Sequence, residues 1–355
     1  MRSRVNFVTV KGFVVLMSST PDLAVVIPSY NRASLIGATL ESVFAQTYLG
    51  RIEVVVIDDG STDNTAAVVT PFVKRGYTGR VSVRYVPVPN AGVCAARNRG
   101  IVETTAPLVA FLDSDDVWVP EKLARQMPAL DDPEVGVSHT AFRNIDARGQ
   151  FLDSGVQRLN NPCYGRCVTA LLREDLVIFS SVVIRRSVID AACGLEAHGL
   201  PFAVKVYAED YDLLLRAALV SKFAYEPTPL TLYRVHGAQY VGNLTRLFRL
   251  HCQMQIDFVA QHGSAFAANP QDGHNAAQAF LYGRAEAMYW QRRLDVTRQL
   301  CELAAEMNLS DDRFQALAQR STRPKWMLWL KDTLDRFRVR INLRSRRRLE
   351  RSEGT

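Results

Sequence analysis

Apolar and polar positions succeed each other in regular blocks from residue 21 onward. Short apolar runs have the length of buried strands, and the segments between them carry apolar residues at helical spacing. The strands predicted in this way are residues 23–28, 52–57, 81–86 and 108–112. One predicted helix face is formed by Ile36, Leu40, Val43 and Phe44. Repeated strand–helix–strand units predict an α/β fold with a mostly parallel sheet and helices on both faces.

The pattern changes in the second half of the chain. Two further strands are predicted at residues 135–142 and 180–184, on either side of a polar, turn-rich stretch. Residues 208–219 predict an amphipathic helix, and from residue 242 the signals are helical apart from a break at 268–274. We therefore expect an α/β domain that is followed by a helical C-terminal extension.

Composition places the chain among ordinary globular proteins. Of its 355 residues, 48% are hydrophobic and 22% are charged, which excludes a disordered chain. The net charge is +7, but residues 323–351 hold eleven Lys and Arg against three acids, or +8, so the rest of the chain carries −1. That near-neutral body lacks the basic face of a nucleic-acid-binding protein, and no nucleic-acid partner is expected.

The cysteines and the N-terminus bear on the cellular setting. The six cysteines are scattered without C-x-x-C spacing, which favours reduced thiols and a cytoplasmic protein. Arg2 and Arg4 precede an apolar segment, as in a signal peptide, but Lys11 interrupts that segment. We expect that Met17 is the natural start and that residues 1–16 are upstream sequence.

An acidic cluster follows the fourth predicted strand. Asp113, Asp115 and Asp116 should lie at the C-terminal edge of the sheet, where open α/β sheets bind ligands. Carboxylates that lie so near one another repel each other unless a cation lies between them. A hard divalent cation that holds a diphosphate fits this position. The alternative is that Asp113 and Ser114 cap a helix that begins at Pro120.

The segment after the first strand, PSYNR, leaves the sheet at the same edge. Backbone groups and the ring of Tyr30 could flank a flat base there, and Arg32 could lie near a phosphate. The alternative is that Asn31 caps the next helix.

The segment after the second strand offers a base-binding carboxylate. One of Asp58 and Asp59 could accept a hydrogen bond from a nucleotide base. A tight turn with Gly60 at positive φ and Asp63 as a helix N-cap is the alternative, and the two readings are compatible.

The segment after the third strand, from residue 90, opens a helix predicted over about residues 91–103. Gly92 permits close approach of a ligand, and a helix N-terminus favours anions. Arg97 and Arg99 could therefore contact a diphosphate, although an ordinary solvated helix start explains the same residues.

These segments together resemble a known family. VVIPSYNRA, VVVIDDGSTDNT, NAGVCAARNRG and AFLDSDD, in this order and at these spacings, closely resemble the family 2 glycosyltransferases of the GT-A fold over about residues 21–240. The resemblance implies that Asp113 lies toward the ribose and the metal and that Asp115 binds the metal. It also implies that Pro28 and Asp59 lie on the base.

The family pattern points to two later segments as well. An acidic pair is expected at the head of a later helix, and Glu209 and Asp210 occupy that place. By resemblance, Asp210 is the general base and Glu209 belongs to the nucleotide-sugar site; the alternative is that acids simply favour a first helical turn. In the Y-R-x-H element that follows, His236 could bind the metal or the leaving diphosphate, and Arg234 could neutralise charge.

The resemblance implies an inverting, metal-dependent glycosyltransferase. It would move a sugar from a nucleotide diphosphate sugar, expected to be UDP-linked, to a hydroxyl of a saccharide or lipid-linked acceptor, with Mn²⁺ or Mg²⁺ as cofactor. The expected setting is cell-surface polysaccharide or lipopolysaccharide assembly. Two alternatives stay open, namely a non-catalytic sugar- or nucleotide-binding relative and a nucleotidyltransferase, although PSYNRAS lacks a Gly-rich basic loop for a triphosphate.

Four regions are expected along the chain: an N-terminal extension (1–20), the GT-A domain (21–240), a helical extension (241–322) and a basic tail (323–355). The tail carries an apolar stripe at helical spacing, formed by Trp326, Leu330, Leu334, Phe337 and Ile341. Such a helix could lie through residues 323–351 on an anionic membrane, at the inner face of the plasma membrane. The alternative is that the stripe packs on the catalytic domain and the basic end is solvated.

Overall fold

The computed structural model describes residues 6–10, 13–17, 21–76, 79–152, 163–173, 177–195, 200–202, 208–236 and 244–322. These residues fall into two compact units. The first contains the described residues up to 236 together with 262–268, and the second contains 244–261 and 269–322. The predicted basic tail lies outside the described residues.

An eight-stranded sheet forms the centre of the first unit, within the residues that the structure describes. Its strands are β3 (Leu23–Ser29), β4 (Ile52–Asp58), β5 (Val81–Pro87), β6 (Leu108–Phe111), β7 (Val117–Trp118), β8 (Val135–Ile145), β9 (Val183–Arg185) and β10 (Lys222–Arg234). A separate antiparallel pair, β1 (Asn6–Val10) and β2 (Phe13–Met17), precedes them.

The sheet order is β5-β4-β3-β6-β9-β8-β10-β7. Strands β5, β4, β3 and β6 are parallel to one another, and β10 is parallel to β8. The short strands β9 and β7 are antiparallel to their neighbours. The predicted α/β fold with a mostly parallel sheet is confirmed.

Helices connect the strands and continue to the end of the described chain. In the first unit they are α1 (Ile36–Phe44), α2 (Thr65–Arg75), α3 (Val93–Val102), α4 (Lys122–Gln126), α5 (Val168–Arg173), α6 (Arg186–Cys193) and α7 (Glu209–Val220). Helices α8 (Leu244–His262), α9 (Pro270–Trp290), α10 (Leu294–Glu306) and α11 (Asp312–Ser321) follow. Short 3₁₀ helices span Met127–Asp131, Phe179–Ser181 and Gly263–Phe266.

Strands β3 and β4 form the centre of the core because both of their faces are covered by helices. On one face, the buried Ile36, Leu40 and Val43 of α1 pack with Val25 and Ile27, as the helical spacing predicts. On the other face, α3 packs against β3 and β4. This packing fixes the C-terminal ends of the parallel strands and the loops that follow them.

The differences from the predicted strands have local causes. Residues 180–184 were predicted as one strand, but 179–181 form a 3₁₀ helix and the strand β9 begins only at Val183. The long strand β10 is absent from the sequence prediction because Pro227 and Pro229 interrupt its pattern. Its register with β8 shifts on both sides of Pro229, and such irregularities accommodate a residue that has no N–H to donate.

The second unit is helical, as predicted. Helices α9, α10 and α11 enclose a core that includes Leu281, Leu300 and Phe314. The predicted break at 268–274 is shorter in the structure, because Asn269 and Asp272 form a capping box and α9 begins at Pro270. Within the described part of the chain, the helices are too short or too polar for any of them to cross a membrane.

Candidate active site

The loops that follow β3, β4 and β6 lie at one edge of the sheet because these neighbouring strands are parallel. The first two loops are joined directly. The Asp59 N–H donates to the Ser29 carbonyl at 2.8 Å, and the Thr62 N–H donates to Asn31 Oδ1 at 2.8 Å. Asn31 has a φ of 52° and α1 begins only at Ile36, so the helix-cap interpretation of Asn31 is wrong.

The predicted base- and phosphate-contacting residues after β3 have different environments. Pro28 is buried next to the C-terminal end of β3. Tyr30 is exposed. The side chain of Arg32 extends to the β6 loop, where its Nε lies 3.4 Å from Asp115 Oδ2.

The turn after β4 is built as predicted except at its end. Asp58 accepts a hydrogen bond from the Ser61 N–H at 2.8 Å, and Gly60 has a φ of 80°. Asp63 is not the N-cap of α2, because that position is occupied by the next residue. Its carboxylate instead accepts from the Thr65 N–H at 2.9 Å.

Asp59 is held by the segment that opens α3. Its two carboxylate oxygens accept from the N–H groups of Ala91 and Gly92 at 2.7 and 2.9 Å. Gly92 has a φ of 90°, and within the described residues no atom lies within 4 Å of the place where a Cβ would stand. The predicted base-binding residue and the predicted ligand-approach glycine are thus neighbours beside open space.

A buried arginine joins two other predicted site residues. Arg97 on α3 has a side chain that is 5% exposed; its two terminal nitrogens lie 2.6 Å from Glu209 Oε1 and 2.9 Å from Asp113 Oδ1. The rings of Phe179 and Phe202 lie against its guanidinium, with centroids 4.8 and 5.7 Å away. Burial opposes its charge, but the neighbouring carboxylates more than compensate and raise the pKa of Arg97.

The two arginines of α3 that were considered for a diphosphate contact have different surroundings. Arg97 has protein carboxylates as its partners, and its side chain is almost fully enclosed. Arg99 is exposed and pairs with Glu103, the residue that follows the end of α3. Residues two positions apart on a helix face in different directions, so Arg97 meets the acidic cluster while Arg99 lies on the exposed side of α3.

The acidic start of α7 is anchored on both sides of Asp210. Glu209 is paired with Arg97, and Tyr211 is buried with its hydroxyl donating to the Leu171 carbonyl at 2.7 Å. Burial, together with the charge of Asp210, raises the pKa of Glu209 to about 7, while Arg97 acts in the opposite direction. Asp210 is half-buried between these two anchored residues, and Arg97 links it through Glu209 to Asp113.

Asp115 meets the later Y-R-x-H element. Its Oδ2 lies 3.1 Å from His236 Nε2. The same oxygen is the one that lies 3.4 Å from Arg32 Nε. Two of the three predicted metal-binding residues are therefore in contact, and Asp113, the third, has a side chain that is 35% exposed. Among the described residues, no three His, Cys, Asp or Glu side chains form a complete metal-binding group.

Asp116 and Arg234 are structural partners of this loop. The Asp116 carboxylate accepts a hydrogen bond from the Arg234 N–H at 2.9 Å. Burial, together with the charges of Asp113 and Asp115, raises the pKa of Asp116 well above its usual range. The Arg234 guanidinium donates to the carbonyls of Asp115 and Asp146 at 2.7 and 2.9 Å. Arg234 thus holds two loops together by their main chains.

The capping alternative for the acidic cluster is wrong. The strand β7 lies between Ser114 and the next helix, and α4 begins at Lys122 with no side-chain cap. Ser114 instead presents its carbonyl to the Thr39 hydroxyl at 3.1 Å. Asp113 and Asp115 are therefore not required for helix capping.

Sequence reasoning gave no role to several residues that border the cluster. Asn98 exchanges two hydrogen bonds with the main chain of Phe202, at 2.7 and 3.0 Å. Burial, with the charges of Asp116 and the neighbouring acids, raises the pKa of Tyr233 to about 12. Asn98 and Tyr233 lie inside quoted motifs and could have been found there, whereas Phe179 and Phe202 are placed only by the tertiary fold.

Comparison with known proteins gives a consistent result. Residues 24–189 match the family model described as Glycosyl transferase family 2. An uncharacterized glycosyltransferase of Nostoc sp. is 30% identical over 220 residues, which are 61% of this chain and 65% of that protein. A Bacillus subtilis glycosyltransferase named for teichuronic acid biosynthesis, TuaG, is 33% identical over 164 residues, 44% of this chain and 63% of that protein. The chain spans about a fifth of the length of longer Rickettsia relatives.

Solved structures share the fold. Staphylococcus aureus TarS 1-349 in complex with UDP-GlcNAc superposes with a TM-score of 0.55 at 18% identity, covering 83% of each chain. The mannosyltransferase PcManGT from Pyrobaculum calidifontis, in complex with GDP-Man and Mn²⁺, has a TM-score of 0.53 at 21% identity, covering 86% of this chain and 85% of its own. The predicted GT-A type fold with a helical C-terminal region is confirmed by these likenesses.

Proposed function

Because residues 24–189 form a family 2 glycosyltransferase domain, we propose that the protein transfers a sugar from a nucleotide diphosphate sugar to a hydroxyl group. The observation that carries the proposal is the convergence of two acidic segments, the Asp113–Asp115 loop and the start of α7, on Arg97 at one edge of the sheet. The first segment suits a divalent ion that holds the diphosphate of a donor, and the second suits an acceptor hydroxyl. Such an arrangement serves transfer between two substrates.

The proposed donor site lies on the loops after β3 and β4. Tyr30 is exposed there, Asp59 is fixed by two main-chain N–H groups, and Gly92 leaves open space beside it. The Asp59 carboxylate would accept from a base, and the main chain of Pro28 would border it. A UDP-linked donor is our first choice, and the complexes of the structural neighbours with UDP-GlcNAc and GDP-Man define the two bases to compare.

Asp113, Asp115 and His236 are the residues proposed to hold a divalent ion. Their chemistry fits, because carboxylate oxygens suit Mg²⁺ and Mn²⁺ and an imidazole is an accepted ligand of transition metals. Three protein ligands at most would leave positions for diphosphate oxygens. Mn²⁺ or Mg²⁺ bound there would neutralise charge on the leaving diphosphate. Arg32, next to Asp115, would add positive charge at the same place.

Asp210 is the proposed general base. Its carboxylate would take the proton of the acceptor hydroxyl while that oxygen forms a bond to the anomeric carbon. The bond from the anomeric carbon to the diphosphate oxygen breaks at the same time, and its electron pair leaves with the nucleotide. Attack from the face opposite the leaving group inverts the anomeric configuration. A carboxylate on an anchored helix start suits this role, since a base must be held within hydrogen-bond reach of its proton.

The proposed acceptor is a saccharide or lipid-linked saccharide of surface-polysaccharide assembly. The B. subtilis relative named for teichuronic acid biosynthesis supports this class of acceptor. The basic segment 323–351 would bring the enzyme to an anionic membrane where a lipid-linked acceptor is presented.

A panel of nucleotide sugars tests the proposal. Purified protein is incubated with UDP- and GDP-linked sugars and Mn²⁺ or Mg²⁺, and release of the free nucleotide diphosphate is measured. We expect turnover of one donor class, lost on addition of a chelator and restored by the metal. An Asp115→Asn variant should lose metal-dependent nucleotide binding. Failure of every donor to bind or to be hydrolysed would refute the proposal.

A further inference from the structure

The guanidinium of Arg97 occupies a central position between the two halves of the site. It binds Asp113 from the loop after β6 and Glu209 from the first turn of α7, at 2.9 and 2.6 Å. These two acids come from separate elements, and among the described residues the side chain of Arg97 joins them by binding both. The helix that carries Arg97 is itself fixed on the central strands β3 and β4.

We propose that Arg97 is a positioning residue that sets the start of α7, and therefore Asp210, against the Asp113 loop. This inference rests on the proposed function and assigns Arg97 no contact with the substrates. A change in the distance between the two acidic segments would move the base relative to the donor. Because a misplacement of about 1 Å can cost about 100-fold in rate, such a link has a direct consequence for turnover.

The geometry requires an arginine in this position. A guanidinium is planar and presents separate nitrogens to two carboxylates, whereas an ammonium is a compact point charge. Removal of the guanidinium would leave two carboxylates close together and poorly solvated, and they would repel each other. The expected response is a displacement of α7, since Asp113 is held at its main chain by the Ser180 hydroxyl at 3.1 Å.

Other contacts of α3 act in the same direction. Asn98, next to Arg97, holds the main chain of Phe202 through two hydrogen bonds. Phe202 in turn places its ring against the Arg97 guanidinium.

The residue before α7 has an unusual backbone conformation. Ala208 has a φ of 68°, which L residues seldom adopt and which the surroundings must therefore enforce. The Arg97–Glu209 contact lies directly after this strained residue.

The experiment compares Arg97→Lys with Arg99→Lys, a matched change on the exposed side of the same helix. Hydrogen–deuterium exchange is followed in peptides that cover α7, and kcat and donor affinity are measured in parallel. We expect faster exchange at the start of α7 and a fall in kcat of about 100-fold for Arg97→Lys, with donor affinity changed less than about threefold. Arg99→Lys should resemble the unmodified protein in all three measurements.

Two results would overturn the inference. Unchanged exchange in α7 would show that Arg97 does not position this helix, and this readout is independent of activity. Weakened nucleotide binding with kcat preserved at saturating donor would show that the guanidinium contacts the diphosphate. If the unmodified protein turns over no donor, the proposed function fails, while the exchange measurement still decides the structural link.

A second variant guards against a failure of Arg97→Lys to fold. Glu209→Gln retains an oxygen that can accept from Arg97 but removes the charge. Milder loosening of α7 and a smaller fall in kcat are expected. The double variant Arg97→Lys/Glu209→Gln should lose less than the product of the two single effects, because both changes act on one contact. Independent, multiplicative effects would contradict the coupling.

Discussion

Asp210 differs from the acids around it in what its carboxylate does for the fold. Glu209 is committed to Arg97, Asp113 to the same guanidinium, and Asp116 to the main chain of Arg234. Within the part of the chain that the structure describes, the hydrogen bond of the Asp210 carboxylate is local, since its Oδ1 accepts from the Tyr211 N–H at 2.8 Å in the same helical turn. A carboxylate with so small a structural role, between two anchored neighbours, is suited to chemistry.

Replacement of Asp210 by Asn should therefore abolish transfer and leave the nucleotide site intact. The amide is isosteric but takes up no proton at neutral pH, so we expect kcat to fall at least about 100-fold while donor affinity changes little. Nucleotide release measures the first quantity and calorimetric titration the second. Asp190→Asn, the same change at an exposed position of α6, is the control. Loss of nucleotide binding in Asp210→Asn would assign Asp210 a structural role instead.

His139 makes stability depend on pH through burial. It lies in β8 with its Nε2 2.7 Å from the Cys163 carbonyl, and burial lowers the pKa of His139 to about 4. An unfolded chain takes up this proton at its ordinary pKa of 6.5, so the unfolded state binds more protons between pH 6.5 and 4. The stabilising contribution is therefore complete above pH 6.5 and is lost as the pH falls through this window.

The expected measurement is a melting temperature that decreases between pH 7 and pH 5. His139 alone should account for about 2 kcal/mol of the lost free energy of unfolding at pH 5. A His139→Gln variant, which can still donate to the Cys163 carbonyl, should show a shallower dependence. Equal slopes for the two proteins would show that folding does not change the pKa of His139.

At the scale of elements, the close approach of α3 to β3 positions the Arg97 cluster. Gly100 allows this approach, because a Cβ built on it would lie 2.3 Å from Val26 Cγ1. Real side chains cannot approach so closely, so either the buried Val26 side chain or the helix would have to shift. Movement of α3 would carry Arg97 with it.

Gly100→Ala should destabilise the protein by about 1–3 kcal/mol as an overpacked core position. Gly37→Ala is the matched control on α1, where the new Cβ would make an ordinary contact, 3.5 Å from Val68 Cγ1. There the better helix propensity of Ala should add up to about 1 kcal/mol. Thermal denaturation followed by circular dichroism gives both values. A rise in melting temperature for Gly100→Ala would contradict the packing argument.

Sequence reasoning found the elements whose formation depends on a local residue pattern and missed those that depend on tertiary contacts. The parallel strands β3 to β6 were predicted because their apolar runs are continuous, and α7 because its periodicity is strong. Strand β10 was missed because Pro227 and Pro229 break its pattern, and only its pairing with β8 makes a strand of it. The side-chain pairing of Arg97 with Glu209 was also missed, since it joins segments far apart in sequence that no local spacing connects.

The same distinction holds for the candidate site. Four motifs placed Asp59, Gly92, Asp113 and Asp115 at one edge because parallel neighbouring strands end together. Directions of side chains were less predictable, because Asn31 and Asp63 bind other partners than the helix caps expected of them, and the pairing of Arg97 with two carboxylates was not foreseen. A motif thus identifies which loops meet, whereas packing decides which atoms face the ligand.

At the scale of the whole molecule, charge is distributed unevenly. Residues 323–351 carry +8, and the remaining chain carries −1. Each basic residue near an anionic lipid surface contributes about 1 kcal/mol to binding, an effect that salt screens. An enzyme with a lipid-linked acceptor would gain from this attraction, because it would concentrate the active site at the surface where the acceptor is presented.

We therefore predict that the full chain sediments with vesicles that contain phosphatidylserine and not with neutral phosphatidylcholine vesicles. Replacing Arg346, Arg347 and Arg348 by Gln should weaken sedimentation by about 100-fold in affinity, as expected for the loss of three basic residues. The same positions changed to Lys should retain binding, because charge is conserved. Higher salt should weaken binding of the unmodified protein. If the Gln and Lys variants sediment equally well, the charge of these three arginines does not contribute to membrane binding.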